Sequence, residues 1–256
     1  MSAPLSLDRR GRVLVATLAH APVNAFDGTL LAALNAALDQ ACADEDIVVL
    51  HLRSALKVFC AGADLALMRG CFATPDGPDR MVELVHGMQR LFDRLEAAPV
   101  VTLAELGGAA LGGGFELALA CDLRVAASEA RLGLPEAGLG LLPGAGGTQR
   151  LTRLVGPGLA KRLILGAEVL SGADAQSLGL VQWQVPRAQL GDFAQQLAER
   201  QAALSRAALA ANKRCIAAAL VPGCDGYALE RAQTRALYDH PETRRKVSDF
   251  LNRSAT

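Results

Sequence analysis

Over the first two-thirds of the chain, short β-type runs alternate with helically spaced apolar residues; the last quarter is helical throughout. Residues 12–18 alternate loosely and carry Val13 and Val15, which predicts a strand. Leucines at 30, 31, 34 and 38 repeat at helical spacing behind Asp27, so residues 27–43 are expected to be a helix with Asp27 as its N-cap. Residues 47–52 read as a short buried strand, 58–64 as a turn of small residues, and the Gly- and Pro-containing stretch 70–79 as a flexible loop. An amphipathic helix follows over 81–97 and must stop before Pro99. Residues 100–106 form the next strand, which runs through Gly107-Gly108 and Gly112–Gly114 into a helix at 115–120. A strand at 123–127, a Gly- and Pro-rich loop at 134–147, helices at 148–155 and 159–165 and a last strand at 181–185 complete this part. Beyond residue 190 the helices break near Pro222-Gly223 and Pro241. The order predicts an α/β core over 1–188 and a helical C-terminal region over 189–256.

Composition narrows the function classes. Of 256 residues, 51% are hydrophobic and 20% charged, enough apolar material for a large core. Lys plus Arg and Asp plus Glu are both 26, so no net positive field is available for a nucleic-acid backbone. Residues 1–12 are polar and mixed, unlike a signal peptide, and no apolar run approaches the roughly 20 residues that span a bilayer. The six cysteines include no Cys-x-x-Cys pair and read as small, reduced side chains. His20, His51, His86 and His240 are too scattered to suggest a metal site. The expectation is a cytoplasmic protein with no metal, membrane or nucleic-acid partner.

The chemistry concentrates in a glycine run. Gly112, Gly113 and Gly114 follow a predicted strand and open a predicted helix. Glycine permits close approach of a ligand to the backbone, and the first amides of a helix lack internal acceptors. With the helix dipole they suit a developing negative charge on oxygen. A dinucleotide fingerprint would need a third glycine where Leu117 stands, and a phosphate loop would need a following Gly-Lys-Ser/Thr. Tight strand–helix packing would explain the glycines if they stood alone. Glu116 lies in the first helical turn, where the dipole favours a carboxylate in any case. Glu136 is less ordinary, because Leu134-Pro135-Glu136-Ala137-Gly138-Leu139 holds no other charge. Such a carboxyl is either exposed or buried with a raised pKa, and in the second case it can exchange protons near neutral pH. A second turn, Cys60 to Asp64, offers another backbone amide for an oxyanion hole.

Taken together, five pieces resemble the crotonase superfamily, in particular the enoyl-CoA hydratases, over essentially the whole length. They are Phe59-Cys60-Ala61-Gly62-Ala63-Asp64, Ala110 to Ala118, Cys121-Asp122, Leu134-Pro135-Glu136, and Pro143 to Leu151 with its Gly-Gly-Thr-Gln-Arg segment. The resemblance implies a crotonase-like spiral of ββα units with a helical C-terminal region that trimerises, giving a trimer or a dimer of trimers. It implies an acyl-CoA substrate whose enolate is held by the amides of Ala63 and Gly113, with Glu116 serving the water and Glu136 the proton at C2. Contacts to CoA would come from Lys57, Ala61 and Ala63, and from Phe250 and Arg253 of a neighbouring subunit. No cofactor is implied beyond the CoA of the substrate. Two positions depart from the family pattern: Ala66 stands where a second lysine is usual, and Gly107 where an Asn commonly precedes the glycine. The presence of both carboxylates favours a hydratase over a double-bond isomerase, another enolate reaction, or a non-catalytic acyl-CoA-binding subunit. Leu67, Met68, Phe72 and Met81 either line the acyl pocket or simply pack the helix core.

Overall fold

The computed structural model describes residues 3–254. The chain opens with an antiparallel pair, β1 (Leu5–Arg10) and β2 (Val13–Leu18), turned at Gly11 with φ of 59°. Only the first residue of β1 is buried. This is an edge strand with a charged outer half, so its apolar–polar alternation ends after Leu7 and is too short to announce a strand in the sequence. Helix α1 (Gly28–Ala43) begins where expected, the Asp27 carboxylate accepting from the Leu30 amide. It returns the chain to β3 (Val49–Ser54), parallel to β2.

The stretch expected to be a flexible loop at 70–79 is non-helical only over 72–76, between the end of one helix and the start of the next. Asp64 caps α2 (Leu65–Cys71) by accepting from the amides of Ala66 and Leu67, and α3 (Gly77–Ala97) starts six residues after α2 ends, with Pro78 in its first turn. Proline is tolerated there because the first helical amides have no internal acceptor. A Cβ at Gly77 would sit 1.6 Å from the Cys71 carbonyl oxygen, so glycine is what lets the two helices meet so tightly.

Strand β4 (Val101–Leu106) pairs parallel with β3, and β5 (Ala110–Leu111) leads into α4 (Gly113–Ala120). Then come β6 (Leu123–Ala127), parallel to β4, and β7 (Arg131–Gly133), followed by a 3-10 helix, Pro135–Leu139, inside the expected loop. The two helices expected at 148–155 and 159–165 are present as the two halves of α5 (Gly147–Leu165), divided at Gly156 with φ of 77° before Pro157. Next are β8 (Val169–Ser171), α6 (Gly172–Ser177) and β9 (Trp183–Val185). The main sheet runs β1-β2-β3-β4-β6-β9, and every pairing beyond β1 is parallel. A small second sheet, β5-β7-β8, sets Ala110 and Leu111 beside Leu132 and Gly133. β2 and β3 are almost continuously buried, as a parallel sheet covered on both faces requires.

Four helices close the chain: α7 (Arg187–Ala202), α8 (Arg206–Ala218), α9 (Gly226–Asp239) and α10 (Pro241–Ser254). Leu190, Ala194, Leu197 and Ala198 of α7 lie in the same core as the sheet, so that core extends past residue 188. No residue of α9 is buried. Among the described residues, no helix is long and apolar enough to cross a membrane.

Candidate active site

The turn at 58–64 is stitched to the segment before α1. The Phe26 amide donates to the Gly62 carbonyl, the Asp64 amide to the Phe26 carbonyl, and the Ala61 amide to the Val23 carbonyl. Asn24, fully buried with φ of 52°, anchors the join: its side-chain amide donates to the Phe59 carbonyl and the Ser54 hydroxyl, each at 2.8 Å. In this parallel bridge Gly62 and Asp64 use their polar groups toward Phe26. Backbone groups of an extended chain alternate in direction, so the Ala63 N–H faces the other way.

It faces α4. A Cβ on Gly62 would stand 3.2 Å from the Gly113 nitrogen, and one on Gly114 would stand 2.1 Å from the Cys60 carbonyl oxygen. Glycine at 62 and 114 therefore allows the turn and the helix start to touch. Gly112, at φ 52° and ψ −127°, makes the corner between β5 and α4. The Phe115 and Glu116 amides return to the Gly112 carbonyl, while the Gly113 N–H, at the helix start, is left for an external acceptor. Ala63 and Gly113, from two separate elements, both line one cavity of about 470 Å³.

Both glutamates line that cavity. Glu116 is only 2% exposed, and its Oε1 accepts from the Gly147 amide at 2.6 Å, across from the start of α5. Burial pushes its carboxyl up to about 7; the nearby Glu136 pushes the same way, while the Gly147 and Ala145 amides and the Arg150 guanidinium oppose. Glu136 stands on the 3-10 helix, its carboxylate beside Gly112: a Cβ there would meet Oε1 at 2.8 Å. Burial raises its pKa too, and its Oε2 is buried without a hydrogen-bond partner. Two carboxyls whose pKa values are both raised by burial, in one cavity, can exchange protons near neutral pH and hold a water between them. Cys60 is no nucleophile here, since burial pushes its thiol up to about 12.

Residues 8–253 match the enoyl-CoA hydratase/isomerase family. The chain belongs to that family. Mitochondrial methylglutaconyl-CoA hydratase of Mus musculus is 40% identical over 191 residues, covering 74% of this chain and 59% of that protein. A probable enoyl-CoA hydratase of Bacillus subtilis is 41% identical over 169 residues, covering 66% and 64%. The matched part of the chain thus spans less than two-thirds of the length of these curated relatives. Among solved structures, DspI of Pseudomonas aeruginosa superposes with a TM-score of 0.90 at 35% identity, over 98% of this chain and 95% of that one. An enoyl-CoA hydratase of Geobacillus kaustophilus gives 0.92 at 30% identity, over 99% and 95%.

Within this family member, Ala61, Ala63, Gly113, Glu116 and Glu136 all meet at the cavity, joined by Met68, Phe72 and Met81 but not by Leu67. Lys57 is exposed and does not line it. Phe250 is 66% exposed on α10 and does not line it either; the Arg253 side chain falls outside the described residues. Gly107 borders a separate recess of about 110 Å³, where the Arg187 guanidinium donates to its carbonyl. Sequence reasoning missed the supports. Arg150, 7% exposed, donates to the Ala145 carbonyl, Asp93 and Glu96, tying the first turn of α5 to α3. The Gly146-Gly147 pair just ahead of it was the available signal for a constrained helix start.

Proposed function

We propose that this protein adds water across the C2=C3 double bond of an α,β-unsaturated acyl-CoA. The reading rests on one observation: two carboxyls with raised pKa values share a cavity with the Ala63 and Gly113 amides. The thioester oxygen would accept from both amides. Ionised Glu116 would take a proton from water as its oxygen bonds to C3, and the electron pair would move through the enolate to the thioester oxygen. Protonated Glu136 would then deliver its proton to C2 as the carbonyl re-forms, leaving Glu116 protonated and Glu136 ionised until the pair exchanges protons with solvent. A single well-placed donor to such an oxyanion is worth about 3 kcal/mol, so the hole is a major part of the barrier reduction. The hydratase names of the mouse and Bacillus relatives support the reaction class.

Ala61 and Ala63, at the cavity edge, are our choice for the CoA end, with Lys57 toward a phosphate. Phe250 and Arg253 would serve a neighbouring subunit in a trimer or dimer of trimers. The test follows absorbance of the conjugated enoyl thioester on mixing with 2-enoyl-CoAs of several lengths. Absorbance should fall with enzyme, and Glu136→Gln should slow that fall by about 100-fold or more, the usual scale of a lost general acid. Near-normal turnover by that variant would remove Glu136 from the mechanism.

A further inference from the structure

The walls of the cavity bear on which acyl group it takes, given that the proposed hydration is the reaction. Met81, Val85 and Met88 recur along one face of α3 at helical spacing and point into it. Leu139, Leu141 and Leu142, from the end of the 3-10 helix and the loop after it, line the same cavity. Among the described residues the lining includes no Lys, Arg or His, and its charged side chains are Glu116 and Glu136 alone. The apolar surface does not stop at the cavity mouth. Phe72, Val82, Leu139 and Leu142 line it yet are 65–69% exposed, forming a greasy lip.

Two consequences follow from elementary energetics. A distal carboxylate on the acyl chain would lose its hydration among methionines and leucines, with two glutamates near and no cation to meet it. A plain hydrocarbon tail gains with every methylene placed against these walls, about fourfold in affinity when fully buried. Room is ample: an apolar cavity of about 150 Å³ holds benzene, so 470 Å³ accommodates roughly ten acyl carbons beside the thioester. The unbranched, pliable methionines adapt to chains of differing length.

We propose that the site selects uncharged, medium-length acyl chains of roughly eight to twelve carbons, and discriminates against short and carboxylated acyl groups. In this it parts from the methylglutaconyl group in the name of its mouse relative, which carries a distal carboxylate.

Calorimetric titration of the full chain with saturated acyl-CoAs tests this apart from catalysis, because these ligands cannot be hydrated. Decanoyl-CoA should bind at least about 30-fold more tightly than butyryl-CoA, a conservative fraction of six buried methylenes. Glutaryl-CoA should bind about tenfold or more weakly than pentanoyl-CoA, its neutral counterpart of equal length. Val82→Arg, at an exposed position on the lip, should strengthen glutaryl-CoA binding and weaken decanoyl-CoA binding. Equal affinities for decanoyl and butyryl chains, or glutaryl binding as tight as pentanoyl, would overturn the proposal. If chain preference holds while no 2-enoyl-CoA is hydrated, the reaction assignment fails and the selectivity stands; if hydration runs fastest on the four-carbon substrate, the reverse is true.

Discussion

At the scale of the residue, Glu116 is the group on which the site turns, and its setting has a thermodynamic signature. Its carboxyl moves from an ordinary 4.5 to about 7, chiefly by burial. Between those two values the folded protein holds a proton that the unfolded chain has released. Stability therefore falls as pH rises through this window, by an amount of order 3 kcal/mol at about 1.4 kcal/mol per unit. Glu136, raised by burial as well, contributes with the same sign. Denaturant unfolding of wild type and Glu116→Gln at pH 5 and pH 8 should show the variant gaining relative stability at the higher pH; parallel profiles would contradict the burial argument. Gly112 supplies a second prediction. A side chain there is opposed by φ of 52° and by the Glu136 carboxylate 2.8 Å from the Cβ position. Gly112→Ala should lower stability by about 1–3 kcal/mol and cut turnover, read by unfolding and by thioester absorbance. Glu136 stood out in the sequence as a lone charge among Leu, Pro, Ala and Gly, and Glu116 was singled out by its place in the helical turn that follows the glycine run. Asn24 was not, since its hydrogen bond to Phe59 spans 35 residues and nothing local requires it.

At the scale of the element, the site is a meeting of helix starts and turns. The first turn of α5 donates the Gly147 amide to Glu116, and Arg150 in the same turn is fastened to α3 through Asp93 and Glu96. Arg150 also opposes the upward shift at Glu116. Arg150→Met should therefore push the Glu116 pKa above about 7 and move the rising limb of the kcat–pH profile to higher pH. An unchanged limb with only lower thermal stability would restrict Arg150 to holding α5 against α3. The cavity wall was legible only in part: Met68, Phe72 and Met81 were candidates and do line it, whereas Val85, Met88 and the leucines after the 3-10 helix were not read as lining. Met81, Val85 and Met88 repeat as any core-facing helical stripe does, and Leu139 to Leu142 read as an undifferentiated loop. Pattern reveals that a face is apolar; whether it meets another helix or a ligand depends on what packs opposite. The loop expected at 70–79 is real over 72–76 but was drawn too wide, because Gly77 and Pro78, read as breakers, open α3 at a tight corner.

At the scale of the whole molecule, the α/β plan was legible from alternating strand and helix periods, and the terminal helices from their continuous helical spacing. The short strands β5, β7 and β8 were not, yet their sheet is what brings Gly112 beside the Glu136 loop. The last helices carry Tyr227, Tyr238, Val247 and Leu251 between 53% and 77% exposed in the single chain. Such a surface fits self-association, and light scattering at micromolar concentration should give a trimer or its multiple rather than a monomer. The central claim is water addition shared by two glutamates, and isotopic labelling of the product tests it most directly. Turnover of a 2-enoyl-CoA in D2O, followed by NMR, should place a hydroxyl at C3 and a single, stereospecific deuterium at C2, with both lost to background in Glu116→Gln. A double bond moved along the chain with deuterium at C4, or no product across all chain lengths, would contradict it.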